Sequence, residues 1–225
     1  MTDRDKAFAA LLADRYSCRG FLPEPVPRET IDKILALAQR TPSWCNSQPW
    51  KVVITSGAAT ERFRKALFAY ATTHDATPDY LFPREYRGVY LERRRACGFQ
   101  LYAAVGVQRG DREGGNRQTM ENFHLFGAPH VAIITTEEAL GVYGAIDCGA
   151  YVNNFTLAAK SLGVASIAQA ALARHPQFTR EFFSLPEDRQ IVCGISFGFE
   201  DPKHPANQFR TTRAALDAVA EWRDA

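Results

Sequence analysis

No continuous apolar run in this 225-residue chain approaches the roughly 18 residues that a membrane-spanning helix needs. The N-terminal Met-Thr-Asp-Arg-Asp-Lys lacks the apolar stretch of a secretory signal, so the expected compartment is the cytoplasm. The five cysteines (18, 45, 97, 148, 193) are odd in number and contain no Cys-x-x-Cys pair, which argues against a disulfide framework or a zinc knuckle and suits reduced thiols. The five histidines show no His-Glu-x-x-His or comparable spacing, so no metal is expected. There is no Gly-x-Gly-x-x-Gly after a strand and no phosphate-binding loop ending in Gly-Lys-Ser/Thr, which argues against a Rossmann nucleotide fold. With 27 basic and 25 acidic residues the formal charge is +2, too small a field to imply a nucleic-acid or membrane-surface partner. The Arg93-Arg94-Arg95 run, beside Glu92, reads as a solvated helix face.

What the chain does contain is 46% hydrophobic and 12% aromatic residues, enough to bury a substantial core. Phe8, Leu11, Leu12 and Tyr16 recur at helical spacing, and Pro27 opens a second helix with Ile31, Ile34, Leu35 and Ala38 on one face. Thr41-Pro42 ends that helix, because the residue before proline avoids the helical region. Strands are expected at 51–55, 131–134, 164–169 and 191–199, and helices at 60–71, 91–105 and 143–161. The stretch 78–88 reads as an irregular excursion, 110–115 as a glycine-rich turn or tip, and 214–222 as a final short helix. No repeat or linker divides the chain, so residues 1–225 are read as one α+β domain.

Arg15-Tyr-Ser-Cys-Arg19 places two guanidinium forks and a hydroxyl within five residues, a set that can hold a phosphate or simply form a solvated helix end. Asn46 and Gln48 lie in a proline-bracketed loop beside Trp44 and Trp50. Their amides offer donors and acceptors without titrating, which suits recognition, or they satisfy the turn's own backbone. Arg210-Thr-Thr-Arg213 repeats the arginine-hydroxyl combination, and it gains meaning only if the tail folds back on Arg15 and Arg19. Gly194-Ile-Ser-Phe-Gly198 matches the serine-hydrolase elbow, yet Phe-Glu-Asp-Pro follows where a helix should start, so a buried strand with two glycines explains it better.

In this order, Arg-x-Ser-x-Arg, then Pro-Ser-x-x-Asn-x-Gln-Pro-Trp, Phe-Gly-Ala-Pro and a late arginine tail resemble the nitroreductase family, from about Arg15 to Arg213. The resemblance implies an α+β nitroreductase-like fold with a mixed, mostly antiparallel central sheet flanked by helices, in an intertwined homodimer. It implies FMN at the dimer interface, with Arg15, Tyr16, Ser17, Arg19, Arg210 and Arg213 at the phosphate and ribityl end and Pro42, Ser43, Asn46 and Gln48 facing the ring. Ala168, Gln169 and Ala170 correspond to the family segment whose backbone amide approaches flavin N5, that of Ala170 in particular. Many members carry Pro-x-Glu-Gly there, so the Ala-Gln-Ala-Ala of this chain keeps the backbone contact and loses an acid-base side chain. Such proteins work by ping-pong: NAD(P)H delivers hydride to the flavin and leaves, and an oxidised substrate takes its place. The implied substrates are nitroaromatics, nitrobenzoate-like ones included, or quinones and related electron-poor compounds. Trp44, Phe123 and His124 are then candidate substrate contacts, and Tyr86, Arg87 or an arginine of the 93–95 run, in an insertion rich in arginine and aromatics, is the candidate for reaching a substrate carboxylate. Same-fold alternatives are a dehalogenase, a flavin-processing enzyme, or a flavin-binding protein without a substrate of its own.

Overall fold

The computed structural model describes residues 2–223. Its centre is a four-stranded antiparallel sheet in the order β1-β2-β4-β3, with β1 at Lys51–Ser56, β2 at His130–Glu137, β3 at Ala165–Gln169 and β4 at Arg189–Gly198. A single parallel bridge, Ser17 to Ser166, extends the β3 edge and makes the pairing mixed.

Strand β2 is covered on both faces, which is why its run is continuously apolar instead of alternating. Ala132 and Ile134 join Ile34 and Ala38 of α2 (Arg28–Ala38) and Tyr151 and Phe155 of α6 (Gly141–Ser161) in one cluster. Val131 and Ile133, pointing the other way, join Phe63 and Leu67 of α3 (Ala58–Ala71) with Leu172 and Ile191. Gly194 and Gly198 of β4 are small by necessity: a Cβ would lie 2.3 Å from Leu172 Cδ1 at the first and 2.6 Å from Pro129 Cδ at the second. Between them Ser196 is fully buried and bonded to Gln169 Oε1 at 2.5 Å, so it is no exposed nucleophile.

Three segments depart from the sequence expectation. The glycine-rich 110–115 is the start of helix α5 (Arg112–Met120), because Asp111 caps it by accepting from Gly114 N at 2.8 Å. Helix α7 (Pro176–Phe183) was not anticipated, although proline in the first turn and Phe178 and Phe182 four apart carry its signal. The expected helix at 214–222 is reduced to a 3-10 turn, Leu216–Ala218, whose neighbours Leu216, Val219 and Trp222 are exposed. A short amphipathic segment with nothing to pack against does not stay helical.

The remaining helices, α1 (Asp3–Asp14) and α4 (Gly88–Ala104), bury no residue fully. Phe8 and Leu12 of α1, Phe99 and Tyr90 of α4, and Val142, Tyr143 and Ile146 of α6 all stand exposed. Among the described residues, no helix is long and apolar enough to cross a membrane.

Candidate functional site

Helix α1 ends at Arg15, where the backbone turns extended and runs alongside β3. Cys18 N donates to Ser166 O at 3.1 Å, and Arg19 N donates to Asn207 Oδ1 at 2.7 Å. Asn207, buried to 3% exposure, also donates to Gly20 O at 2.9 Å and Asp201 O at 3.0 Å, pinning the returning tail to this segment. Sequence reasoning missed Asn207. Its only signal was a polar residue in a proline-broken stretch.

The tail therefore meets the condition set for it. Arg210 lies with Cζ 3.6 Å from the centre of the Tyr16 ring, whose hydroxyl donates to Glu200 Oε2 at 2.7 Å. Burial, with that hydrogen bond second, raises the Tyr16 pKa well above its ordinary value. Arg15, Tyr16, Ser17 and Arg19 form one wall of a cavity of about 270 Å³, and Arg210, Thr211 and Arg213 form another. Cys97 of α4, also unanticipated, completes the lining.

Arg19 decides the chemistry of this cavity. Burial lowers its pKa, and its Nη1 reaches only the Ser17 carbonyl, at 3.2 Å. Among the described residues it has no carboxylate partner. A desolvated cation without a counter-ion is costly, and an anion brought by a ligand offsets that cost. Four arginines and a serine hydroxyl around one cavity fit a phosphate monoester.

Arg19 also lines a second cavity of about 220 Å³, with Tyr102, Thr119, Asn122 and the segment Ala168–Ala170. The two spaces thus adjoin across one guanidinium. The Gln169 side chain is only 2% exposed and is spent inside the protein, Nε2 donating to Asn122 O at 3.0 Å and Oδ1 at 3.2 Å. What this segment offers a ligand is backbone, as the loss of the glutamate implied.

The loop at 41–50 is built differently. Cys45, Asn46 and Gln48 hold φ of 51°, 55° and 47°, a left-handed backbone that non-glycine residues adopt at a cost of roughly 1–3 kcal/mol each. The surroundings enforce it: Asn154 Nδ2 donates to Thr41 Oγ1 at 2.7 Å, Gln48 N to Ser43 Oγ at 2.9 Å, and Trp44 N to Asp147 Oδ2 at 3.1 Å. Pro42 and Ser43 open this turn, and Trp50 anchors it by stacking on Tyr151 with centroids 5.0 Å apart. Gln39 Nε2 donates to Gln48 Oε1 at 2.9 Å, while Asn46 makes no side-chain hydrogen bond among the described residues.

This loop feeds β1, at the opposite edge of the sheet from β3. Three inter-strand steps separate those edges by roughly 14 Å. Ser43, Asn46 and Gln48 line neither of the two cavities.

The expected substrate contacts divide. Trp44 is exposed, in edge contact with Tyr143 at 4.4 Å between centroids. Tyr86 is exposed beneath the Arg94 guanidinium at 5.2 Å, and Arg87 pairs with Glu85; neither lines the two cavities. His124 stacks on Phe68 at 4.0 Å. Phe123 does not fit the expectation: it is 1% exposed, in the core cluster of Phe63 and Leu67, with the Arg174 guanidinium 6.0 Å from its ring centre, so no ring surface is left for a substrate. No group of three or more metal-ligating side chains occurs among the described residues.

An antiparallel sheet wrapped by helices, with an arginine-lined cavity beside a second one at the end of β3, is an arrangement that suits a phosphorylated ligand. The nitroreductase family model matches residues 12–199, and the chain belongs to that family. It is 35% identical to the nitroreductase NfnB of Mycolicibacterium smegmatis over 222 residues, 98% of this chain and 94% of the relative. It is 34% identical to the 4-nitrobenzoate reductase of a Nocardioides species over 217 residues, 94% of this chain and 88% of that protein. The solved structure of the FMN-dependent nitroreductase NfnB from Mycobacterium smegmatis in complex with NADPH superposes with a TM-score of 0.94 at 33% identity, over 99% of this chain and 100% of that one.

Proposed function

We propose that this chain is an FMN-dependent oxidoreductase that uses NAD(P)H to reduce nitroaromatic or similarly electron-poor aromatic substrates. The observation that carries the reading is Arg19, without a carboxylate partner among the described residues, between two adjoining cavities, one lined by arginine and hydroxyl, the other by Tyr102, Asn122, Phe126 and the end of β3. Arg15, Ser17, Arg19, Arg210 and Arg213 would hold the FMN phosphate and ribityl end, with Tyr16 fixing Arg210. The backbone of Ala168–Ala170 would face the ring. FMN, when bound, accepts hydride from the nicotinamide and passes reducing equivalents to the substrate.

The protein's own contribution is position and electrostatics. Arginines neutralise the phosphate. The hydrogen-bonded Gln169 keeps the β3 end rigid, so backbone donors hold one orientation.

A second copy supplies the missing half of the site in this reading. The exposed apolar residues of α1, α6 and the C-terminal tail suit an intertwined homodimer, in which Pro42, Ser43, Asn46 and Gln48 of the partner meet the ring. Trp44 and His124 then border a shallow aromatic site, with Tyr86 and Arg87 on the excursion available to a substrate carboxylate. Residues 1–225 act as one unit, and five unpaired cysteines suit a reducing cytoplasm.

The direct test is spectroscopic. Purified protein should be yellow and release FMN, not FAD, on denaturation. NADPH should bleach it and a nitroaromatic restore the colour. A colourless protein that takes up no added FMN would overturn the proposal, and bleaching without nitroaromatic turnover would leave a flavin binder lacking this substrate.

A further inference from the structure

A third and larger cavity lies between α4 and α5, outside both spaces assigned above. It measures about 770 Å³ and is walled by Phe99 and Tyr102 on α4, by Arg109 in the loop before α5 and Arg112 at its first residue, and by Asn116 and Thr119 along it. Tyr102 and Thr119 also line the ring-side cavity, so the two spaces are neighbours that share part of a wall.

Its chemistry differs from its neighbour's. Phe99 is 52% exposed, unusual for a phenylalanine, and Arg109 lies with Cζ 5.8 Å from its ring centre. Among the described residues neither Arg109 nor Arg112 has an acidic partner within ion-pair distance. Asp111, the one carboxylate in the wall, is committed to capping Gly114 N at 2.8 Å. The cleft thus combines an open aromatic surface with two free guanidinium groups.

We infer that this cleft binds the adenosine 2′-phosphate end of NADPH, Arg109 and Arg112 holding the phosphate and Phe99 or Tyr102 the adenine. This rests on the reading that FMN occupies the adjoining cavities. A nicotinamide stacked at the flavin must send the rest of the dinucleotide away along the surface, and this cleft is the large space beside it. Its volume falls in the range for drug-sized ligands and exceeds the need of a single benzoate ring. Two arginines suit a phosphate dianion, whereas one fork satisfies a carboxylate. The cleft is therefore a device for preferring NADPH over NADH.

The experiment uses FMN-loaded Arg109→Gln, Arg112→Gln and the double variant, with KM and kcat measured for NADPH and for NADH at saturating nitrobenzene. The expected result is a KM for NADPH raised about tenfold or more in the double variant, from lost charged hydrogen bonds, with kcat and the KM for NADH little changed. Phe99→Ala should weaken both nucleotides together, since both carry adenine. Equal effects of the arginine variants on NADPH and NADH, or none on either, would overturn the inference. So would a rise confined to the KM for 4-nitrobenzoate relative to nitrobenzene, which would give the cleft to substrate. Normal flavin content in these variants separates such a failure from failure of the FMN reading, which would appear as loss of colour in the unsubstituted protein and would remove this inference with it.

Discussion

Arg19 and Gln169 illustrate how single side chains fix the character of the site. Arg19→Ala removes a half-buried cation that has no carboxylate partner among the described residues, so the empty protein should lose little stability while FMN affinity falls by about a hundredfold, read by flavin fluorescence titration. Unchanged affinity would remove Arg19 from the cradle. Gln169→Ala does the reverse: it orphans Ser196 Oγ and vacates the pairing with Asn122, and it should cost about 1–3 kcal/mol in denaturant unfolding. His130, buried beside Phe197, accepts from Val26 N at 2.9 Å through Nε2, and burial lowers its pKa from 6.5. Burial likewise lowers the pKa of His175. Below the ordinary value the unfolded chain binds these protons and the folded chain does not, so stability should fall as pH drops below about 6.5. His130→Gln should flatten part of that slope in a series of thermal melts.

At the level of elements, the apolar patterns of β2, α2 and α6 were legible because they pack within this chain, and burial enforces the same period that the sequence displays. The turn at 110–115 and the tail at 214–222 were misread for opposite reasons. Glycines that suggest a tip sit inside α5, since Asp111 satisfies the free N–H groups of its first turn; Asp111→Ala should therefore fray α5 at a cost of about 1 kcal/mol, visible as faster amide exchange at 112–116. The tail has the residues of an amphipathic helix but no surface within its own chain to bury them. The elbow-like Gly194 to Gly198 belongs to a close approach of β4 to Leu172 and Pro129. Gly194→Ala should be destabilising by about 1–3 kcal/mol through overpacking.

For the whole molecule the decisive feature is the strand order. The loop at 41–50 leads into one edge strand and the arginine cavity lies by the other, and the proposed site, which uses both, draws them from two copies. Ile146→Asp, placed on the exposed apolar part of α6, should convert the proposed homodimer to monomer in sedimentation velocity and lose FMN in the same preparation. A monomer that retained FMN would show that the cradle suffices.

The family and the residue types of the cradle were written in the sequence, because arginine, hydroxyl and amide groups at fixed spacing are local features and their joint order is specific. The proline at 42 marked the end of α2 for the same local reason. Tertiary structure alone decided three other matters. It placed Asn207 as the clamp beneath Arg19, buried Phe123 in the core instead of the site, and joined α4 to α5 around a cleft that neither helix displays by itself. Each depends on which distant segment arrives at a given face, and the packing that selects it is a property of the assembled sheet and helices, not of any one stretch of chain.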